Sequence, residues 1–227
     1  PLDSLPDEKG KIKPKKSKDI VKEMINNYNY LSTAGNFCWE AGDGQGAYDV
    51  WELYLTLPDY GPLVGKVALT DPAMAGNMMF IQGIAMLNAK DFQKAMDKFL
   101  AASNTPYEND NIYVGGIQAA MQLNNNDAIL EFAQKGYDKY GTQNTLFISE
   151  LINDRLQKKD YAGAHKYVTV ALDSVSDNSV KAQLLDVLGV VYESEEKFED
   201  ALKAFSEASK LDDSNAKIFF DLGRVLN

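Results

Sequence analysis

The sequence predicts an all-α chain of short antiparallel helical hairpins, and three observations carry that reading. From residue 17 onward, apolar residues recur at steps of three and four in nearly every segment, the period of an amphipathic helix. Val, Ile and Thr nowhere alternate with polar residues for long enough to build a strand. Turn signals return about every 15 residues: "GDGQG", "NAKD", "NTP", "NNND", "YGTQN", "QKKD", "DSVSDN", "SEEK" and "DDSN".

In chain order, residues 1–16 are rich in Lys, Pro and Gly and read as a basic, extended or partly disordered lead-in. Residues 17–227 read as one repeat domain. Its first hairpin folds about "GDGQG", with Gly35 on one helix and Ala47, Trp51 and Tyr54 on the next. Residues 57–75, "LPDYGPLVGKVALTDPAMA", interrupt the pattern and read as a loop lying over the first hairpins. Inside that stretch Asp71-Pro72 places a capping acid before a proline, a helix entrance. Gly83, Ala95, Phe99 and Ala102 define the second hairpin, and Gly116, Ala128 and Phe132 the third. Gly141 suits a helix exit, with Thr142 or Asn144 at the next entrance. Ile152, Ala164, Val168 and Ala171 make a weaker fourth match, and Leu188, Gly189, Tyr192, Ala201, Phe205 and Ala208 a fifth. Asp213 or Ser214 is expected to cap the last helix.

The spacing is a repeat. Gly189 and Gly223 lie 34 residues apart, and the alanines 47, 95, 128, 164 and 201 are separated by 48, 33, 36 and 37 residues. Gly on the first helix and Ala on the second let two backbones approach closely, and the aromatic one turn after the Ala fills the space toward the neighbouring hairpin. Each hairpin leaves an apolar face that stacking covers.

On these residues, the stretch "LLDVLGVVYESEEKFEDALKAFSEASKLDDSN" above all, the chain from about residue 28 to 227 resembles the tetratricopeptide repeat (TPR) family. The resemblance implies a right-handed superhelix of about five hairpins plus an unpaired final helix, "NAKIFFDLGRVLN". By phase the chain reads as cut from a longer array, or as closed by residues 216–227 acting as a cap. Asp213 stands where the family usually has Pro. Ile152 replaces the small Gly, and Lys135 replaces a small residue in the third unit, so those two units are expected to pack less tightly. The "LDSLPDEKGKIKPK" lead-in, the insertion and the "LGRVLN" ending also resemble secreted bacterial multi-TPR proteins of undefined function, which implies an exported, periplasmic or cell-envelope location.

Composition bounds the partners. The net charge is −10, and residues 1–22 carry seven Lys against four acids, so the remainder stands at −13. A body of that sign repels phosphate backbones, and nucleic acid is not expected as a partner. The densest apolar run, "MMFIQGIAML", is too short for a transmembrane segment.

No residue set reads as a catalytic, metal or cofactor site, and the chain is expected to be non-enzymatic. His165 is the only histidine, and "AGAHKY" offers it no partner for acid–base or metal chemistry. Cys38 sits in an apolar helical stripe and reads as core packing. "AGDGQGA" lacks the Lys and Ser/Thr of a phosphate loop and falls where the repeat needs a turn. Glu193, Glu195, Glu196, Glu199 and Asp200 lack calcium-loop spacing and read as a solvated face. The lysines of the lead-in read as a solvated linker.

The resemblance also assigns the face of the first helices to partner binding. Its candidate groove residues are Trp39, Phe80, Ile84, Leu87, Tyr113, Ile117 and Asn153. Where some TPR proteins hold a partner's C-terminal carboxylate with Lys and Asn, this chain has Ser32 and Asn36, Phe80 and Ile84, and Tyr113 and Ile117, so no basic clamp for chaperone tails exists. Two readings of the apolar patch stay open: a protein or peptide site, or packing under the insertion or other parts of the chain. An alternative function, glycan or solute binding in the cell envelope, would rest on Tyr60, the one aromatic in the insertion.

Overall fold

The computed structural model describes residues 15–69 and 71–226, with side chains from residue 18. Lys15 and Lys16 open the first helix, and the rest of the lead-in lies outside the described residues. The described residues form α-helices and short 3-10 turns without strands. They divide into two compact units, and the division falls at Gly115/Gly116, inside helix α6 (Asn111–Gln122).

The first unit contains α1 (Lys15–Asn27), α2 (Tyr30–Glu40), α3 (Gly44–Thr56), α4 (Pro72–Asn88), α5 (Phe92–Ser103) and the start of α6. Trp51, Tyr54, Ala47 and Tyr28 form its leading core cluster. Tyr28 stacks on Tyr54 with ring centroids 4.7 Å apart and donates its hydroxyl to the Tyr54 carbonyl at 2.9 Å. Burial and that neighbour push the Tyr28 phenol well above its ordinary value. The insertion is not an open loop. Leu57–Asp59 and Gly61–Leu63 are 3-10 turns, and Leu57 and Leu63 enter the same cluster beside Met78. Asp71 ends the insertion as expected, accepting from the Ala73 N–H at 2.8 Å with Pro72 in the first turn.

The second unit contains the rest of α6, then α7 (Asn126–Tyr140), α8 (Thr145–Gln157), α9 (Tyr161–Ser174), α10 (Asn178–Ser194), α11 (Phe198–Leu211) and α12 (Ala216–Val225). Gly141 ends α7 with φ +59°, and Asn144 caps α8. The cap of α12 is Asn215, which accepts from the Lys217 N–H at 3.2 Å, rather than Asp213 or Ser214. Asp212 instead binds the Ser214 N–H and hydroxyl within the turn.

All five hairpins close in the same way. One residue turns left-handed: Gly42 (φ +78°), Lys90 (+61°), Asn124 (+52°), Lys159 (+57°) and Glu196 (+60°). The next N–H reaches back five residues, from Asp43 to Cys38, Asp91 to Met86, Asn125 to Ala120, Asp160 to Arg155 and Lys197 to Tyr192, at 2.8–2.9 Å. This bond satisfies a carbonyl left open at the end of the first helix. The same residue then caps the second helix through Asp43, Asp91, Asn125 and Asp160, whereas Lys197 provides no side-chain cap.

The glycine–aromatic sockets are real contacts. A Cβ at Gly83 would lie 2.7 Å from Phe99, and one at Gly189 2.5 Å from Phe205. A Cβ at Gly35 would collide with the Trp51 ring. Ala47, Ala95, Ala164 and Ala201 are fully buried, but Ala128 is only half-buried. The third hairpin is therefore offset. Counted from its turn residue Asn124, the place held by Gly35, Gly83 and Gly189 in other hairpins falls on Ile117, one residue after Gly116. The small residues of its second helix are Ala133 and Gly136, both buried, and Phe147 lies 2.8 Å from where a Cβ would stand at Gly136. Lys135 is on the surface side and pairs with Glu131 at 2.8 Å. In the fourth hairpin the bulky Ile152 is met by Val168 instead of an aromatic, and the two are 3% and 0% exposed, so the exchange of volumes keeps that core closed.

Candidate functional site

The first-helix face of the first unit is built mainly by α4. One side of this helix is locked inside by Ala75, Met78, Gln82, Gly83, Ala85 and Met86. Phe80, Ile84 and Leu87 follow one another at helical spacing on another side and are half-buried. Phe80 tilts against Phe99 and Tyr107, each at 6.1 Å between ring centroids. Trp39 is half-buried and packs on the leading core cluster. Gln82 marks the closed side: its Nε2 donates to the Tyr48 carbonyl at 2.9 Å and to Glu52, which also holds Lys98. Burial, then the Glu52 charge, raise the Tyr48 phenol.

Two expected groove residues belong to the interior. Tyr113 is 4% and Ile117 1% exposed, so neither offers a surface to a partner. The cause is the offset of the third hairpin, whose frame runs one residue later than the Gly116 match suggests. Tyr113 then takes the inward place that Ile148 and Leu185 take in the fourth and fifth hairpins, and Ile117 is buried next to Gly116, which meets Phe132. In the second unit the residues that come outward are Gln118 and Met121, the latter 42% exposed. "NNND" carried the signal for this, because its left-handed Asn124 and capping Asn125 fix the frame more tightly than the Gly-to-Ala step does.

Asn153 is exposed and borders a 60 Å³ hollow with Glu150, Asn126 and Leu130. Burial raises the Glu150 carboxyl. Farther along the same unit, Lys217 of α12 binds Asp186 of α10 and lies 2.8 Å from Asp221, while Arg224 bridges Asp221 at 2.9 Å and Glu193. Five charges of α10 and α12 therefore meet one another.

The residues weighed for chemistry have the following surroundings. His165 Nε2 lies 3.3 Å from the Tyr192 hydroxyl, with the rings 5.4 Å apart. Cys38 packs half-buried in the first unit. Asp43 of "AGDGQGA" caps α3. Glu195 pairs with Lys197, and Asp200 with Lys203. Among the described residues no group of three His, Cys, Asp or Glu could hold a metal ion, and no helix is long and apolar enough to cross a membrane. Tyr60 is 53% exposed between the two 3-10 turns of the insertion.

No family model matches the chain, and no curated protein matches it. Solved structures do. A TPR repeats protein from Bacteroides fragilis is similar at a TM-score of 0.56 and 18% identity, over 88% of this chain and 97% of that one. YrrB, described as a TPR protein with an unusual peptide-binding site, is similar at 0.56 and 15%, over 89% and 95%. The C-terminal part of a TPR repeat-containing protein from Cytophaga hutchinsonii is similar at 0.55 and 10%, over 87% and 69%. The repeating turn, the glycine–aromatic sockets and these likenesses together define an all-α protein of the TPR fold.

Proposed function

We propose that this chain is a non-enzymatic scaffold that holds a polypeptide segment on the first-helix face of its first unit, with Phe80, Ile84 and Leu87 as apolar anchors and Trp39 beside them. The carrying observation is that α4 is apolar on the side it buries and on the side it leaves half-open. A helix apolar all round wants cover on both sides. The insertion packs through Leu57, Leu63, Val67 and Leu69 on the cluster that holds Met78 and Ile81 of α4, and Phe80, Ile84 and Leu87 are not in that cluster. Half-exposed aromatic and aliphatic anchors suit a peptide's alternate side chains. YrrB, of similar fold, has a peptide-binding site, which supports the class of ligand. The lack of a basic clamp favours internal segments over C-terminal tails. We place the protein in the cell envelope, on the resemblance of its lead-in and ending to exported proteins; fractionating native cells with an antibody to the chain tests that location.

The test is selection of a displayed random peptide library on the wild-type chain, followed by titration of enriched peptides against Ile84→Asp and Leu87→Asp. Each variant is expected to weaken binding by about tenfold or more, the loss of one buried aliphatic contact plus a desolvated charge, with helicity retained. Peptides that bind these folded variants as tightly as the wild type would remove the α4 face from consideration.

A further inference from the structure

A second hollow, in the second unit, lies apart from the groove residues and from every residue weighed above for chemistry. It measures about 490 Å³ and is walled by α7, α8 and α9. That volume falls in the range of small-molecule sites. Two tyrosines shape it: Tyr137 and Tyr167 meet edge to face, 5.7 Å between centroids and 82° between planes. Both rings are half-buried.

Four polar side chains around the rings are planar and held in pairs. Arg155 Nη1 lies 3.1 Å from Asp160 Oδ2, and Asp160 Oδ1 accepts from the Gly163 N–H at 2.9 Å. Gln134 Nε2 donates to Asp138 Oδ1 at 2.7 Å. Each pair fixes its members while leaving donors and acceptors over, since a guanidinium has five N–H groups and a carboxylate about four lone-pair sites. Lys166 and the aliphatic Val170 complete the lining, and the Lys166 charge with that of Arg155 balances Asp138 and Asp160.

From this lining we infer a binding site for a neutral, polyhydroxylated ligand of about di- or trisaccharide size. An anion drawn to Lys166 would face Asp138 and Asp160, and a cation would face Arg155 and Lys166. A neutral ligand meets no such opposition. Vicinal hydroxyls match planar two-point partners, and the C–H face of a sugar ring matches the apolar, electron-rich face of a tyrosine. The site shares no residue with the α4 face, so it stands or falls independently of the scaffold reading, and Tyr60 takes no part in it.

The test titrates the whole chain with maltotriose, cellotriose, mannotriose, xylotriose and chitotriose, read by calorimetry and by amide shifts. At least one is expected to bind at millimolar affinity or better, with shifts centred on Tyr137, Arg155 and Tyr167. Tyr167→Ala is expected to weaken it about tenfold, the worth of one aromatic contact, while Tyr167→Phe, which keeps the ring, stays within about threefold. Raising NaCl from about 50 to 500 mM should leave the affinity unchanged, because no net charge is neutralised. Ile84→Asp should also leave it unchanged. Binding of none of the five, binding indifferent to the folded Tyr167→Ala variant, or a sugar phosphate that binds more tightly and is released by salt would each overturn the assignment.

Discussion

A single left-handed residue per hairpin sets the geometry of this molecule, and only the first of the five is glycine. A side chain in that conformation costs on the order of 1 kcal/mol, which glycine avoids at some expense in unfolded-state entropy. Gly42→Ala is therefore expected to lower unfolding free energy by about 1 kcal/mol. Glu196→Gly should raise it by up to about 1 kcal/mol, both read by urea titration. The neighbouring Lys197 is the one second-helix entrance of the five hairpins without a side-chain cap. Lys197→Ser should add about 1 kcal/mol by accepting from the Asp200 N–H in the first turn, since the Glu195 pair it gives up is worth little. Asp would cap less well there, beside Glu195, Glu196, Glu199 and Asp200. At the sockets the sign reverses. Gly189→Leu forces a side chain onto Phe205 and should cost about 1–3 kcal/mol by overpacking.

The element with the most telling electrostatics is α12. It is anchored by Ile218, fully buried with Ala182, Leu185 and Ala208, and by the ion network onto α10. Two acids of that network, Asp221 and Asp186, titrate in opposite directions. Burial works to raise the Asp221 carboxyl, but hydrogen bonds from Lys217 and Arg224 overcome it and hold the group below the usual carboxylate range. Its ionised form therefore stabilises the fold above the unfolded value, and that support is lost as pH falls through the lowered folded value. Burial raises the Asp186 carboxyl despite Lys217, and Asp221 adds to the rise. Asp186 thus favours the folded state when protonated, and that contribution disappears as pH rises through its raised value. Asp221→Asn should accordingly melt lower than the wild type at pH 7, with the gap closing in acid. Asp186→Asn should melt no lower at pH 7, and any advantage should vanish as the wild-type carboxyl protonates.

At the scale of the molecule, stability in a stack of hairpins is close to a sum of local terms and nearest-neighbour contacts. A lesion such as Gly189→Leu should therefore speed amide exchange in α10 and α11 while leaving protection in α2 and α3 unchanged. Uniform loss of protection along the chain would show a single cooperative unit instead. The hairpin count, the turn positions and most sockets were legible because they depend on neighbours within about 34 residues, the length of one repeat. The third hairpin was legible only in part for the same reason: Gly116 does meet Phe132, but the frame of the turn was read one residue early. Gly115, Gly116 and Ile117 stand in a row, and a fixed Gly-to-Ala step selects the middle one, whereas the chain closes its turn one residue later.

The sequence by itself determined that this is an all-helical repeat, where its turns lie, and that its body is acidic, because periodicity, caps and charge are local or additive properties. Only the tertiary structure decided that Tyr113 and Ile117 face inward, that the insertion fills a core through Leu57 and Leu63, and that Tyr137, Arg155, Asp160 and Tyr167 surround one hollow. Those facts depend on which faces of separate helices meet, and a one-residue shift turns a helix by about 100° without altering its hydrophobic count.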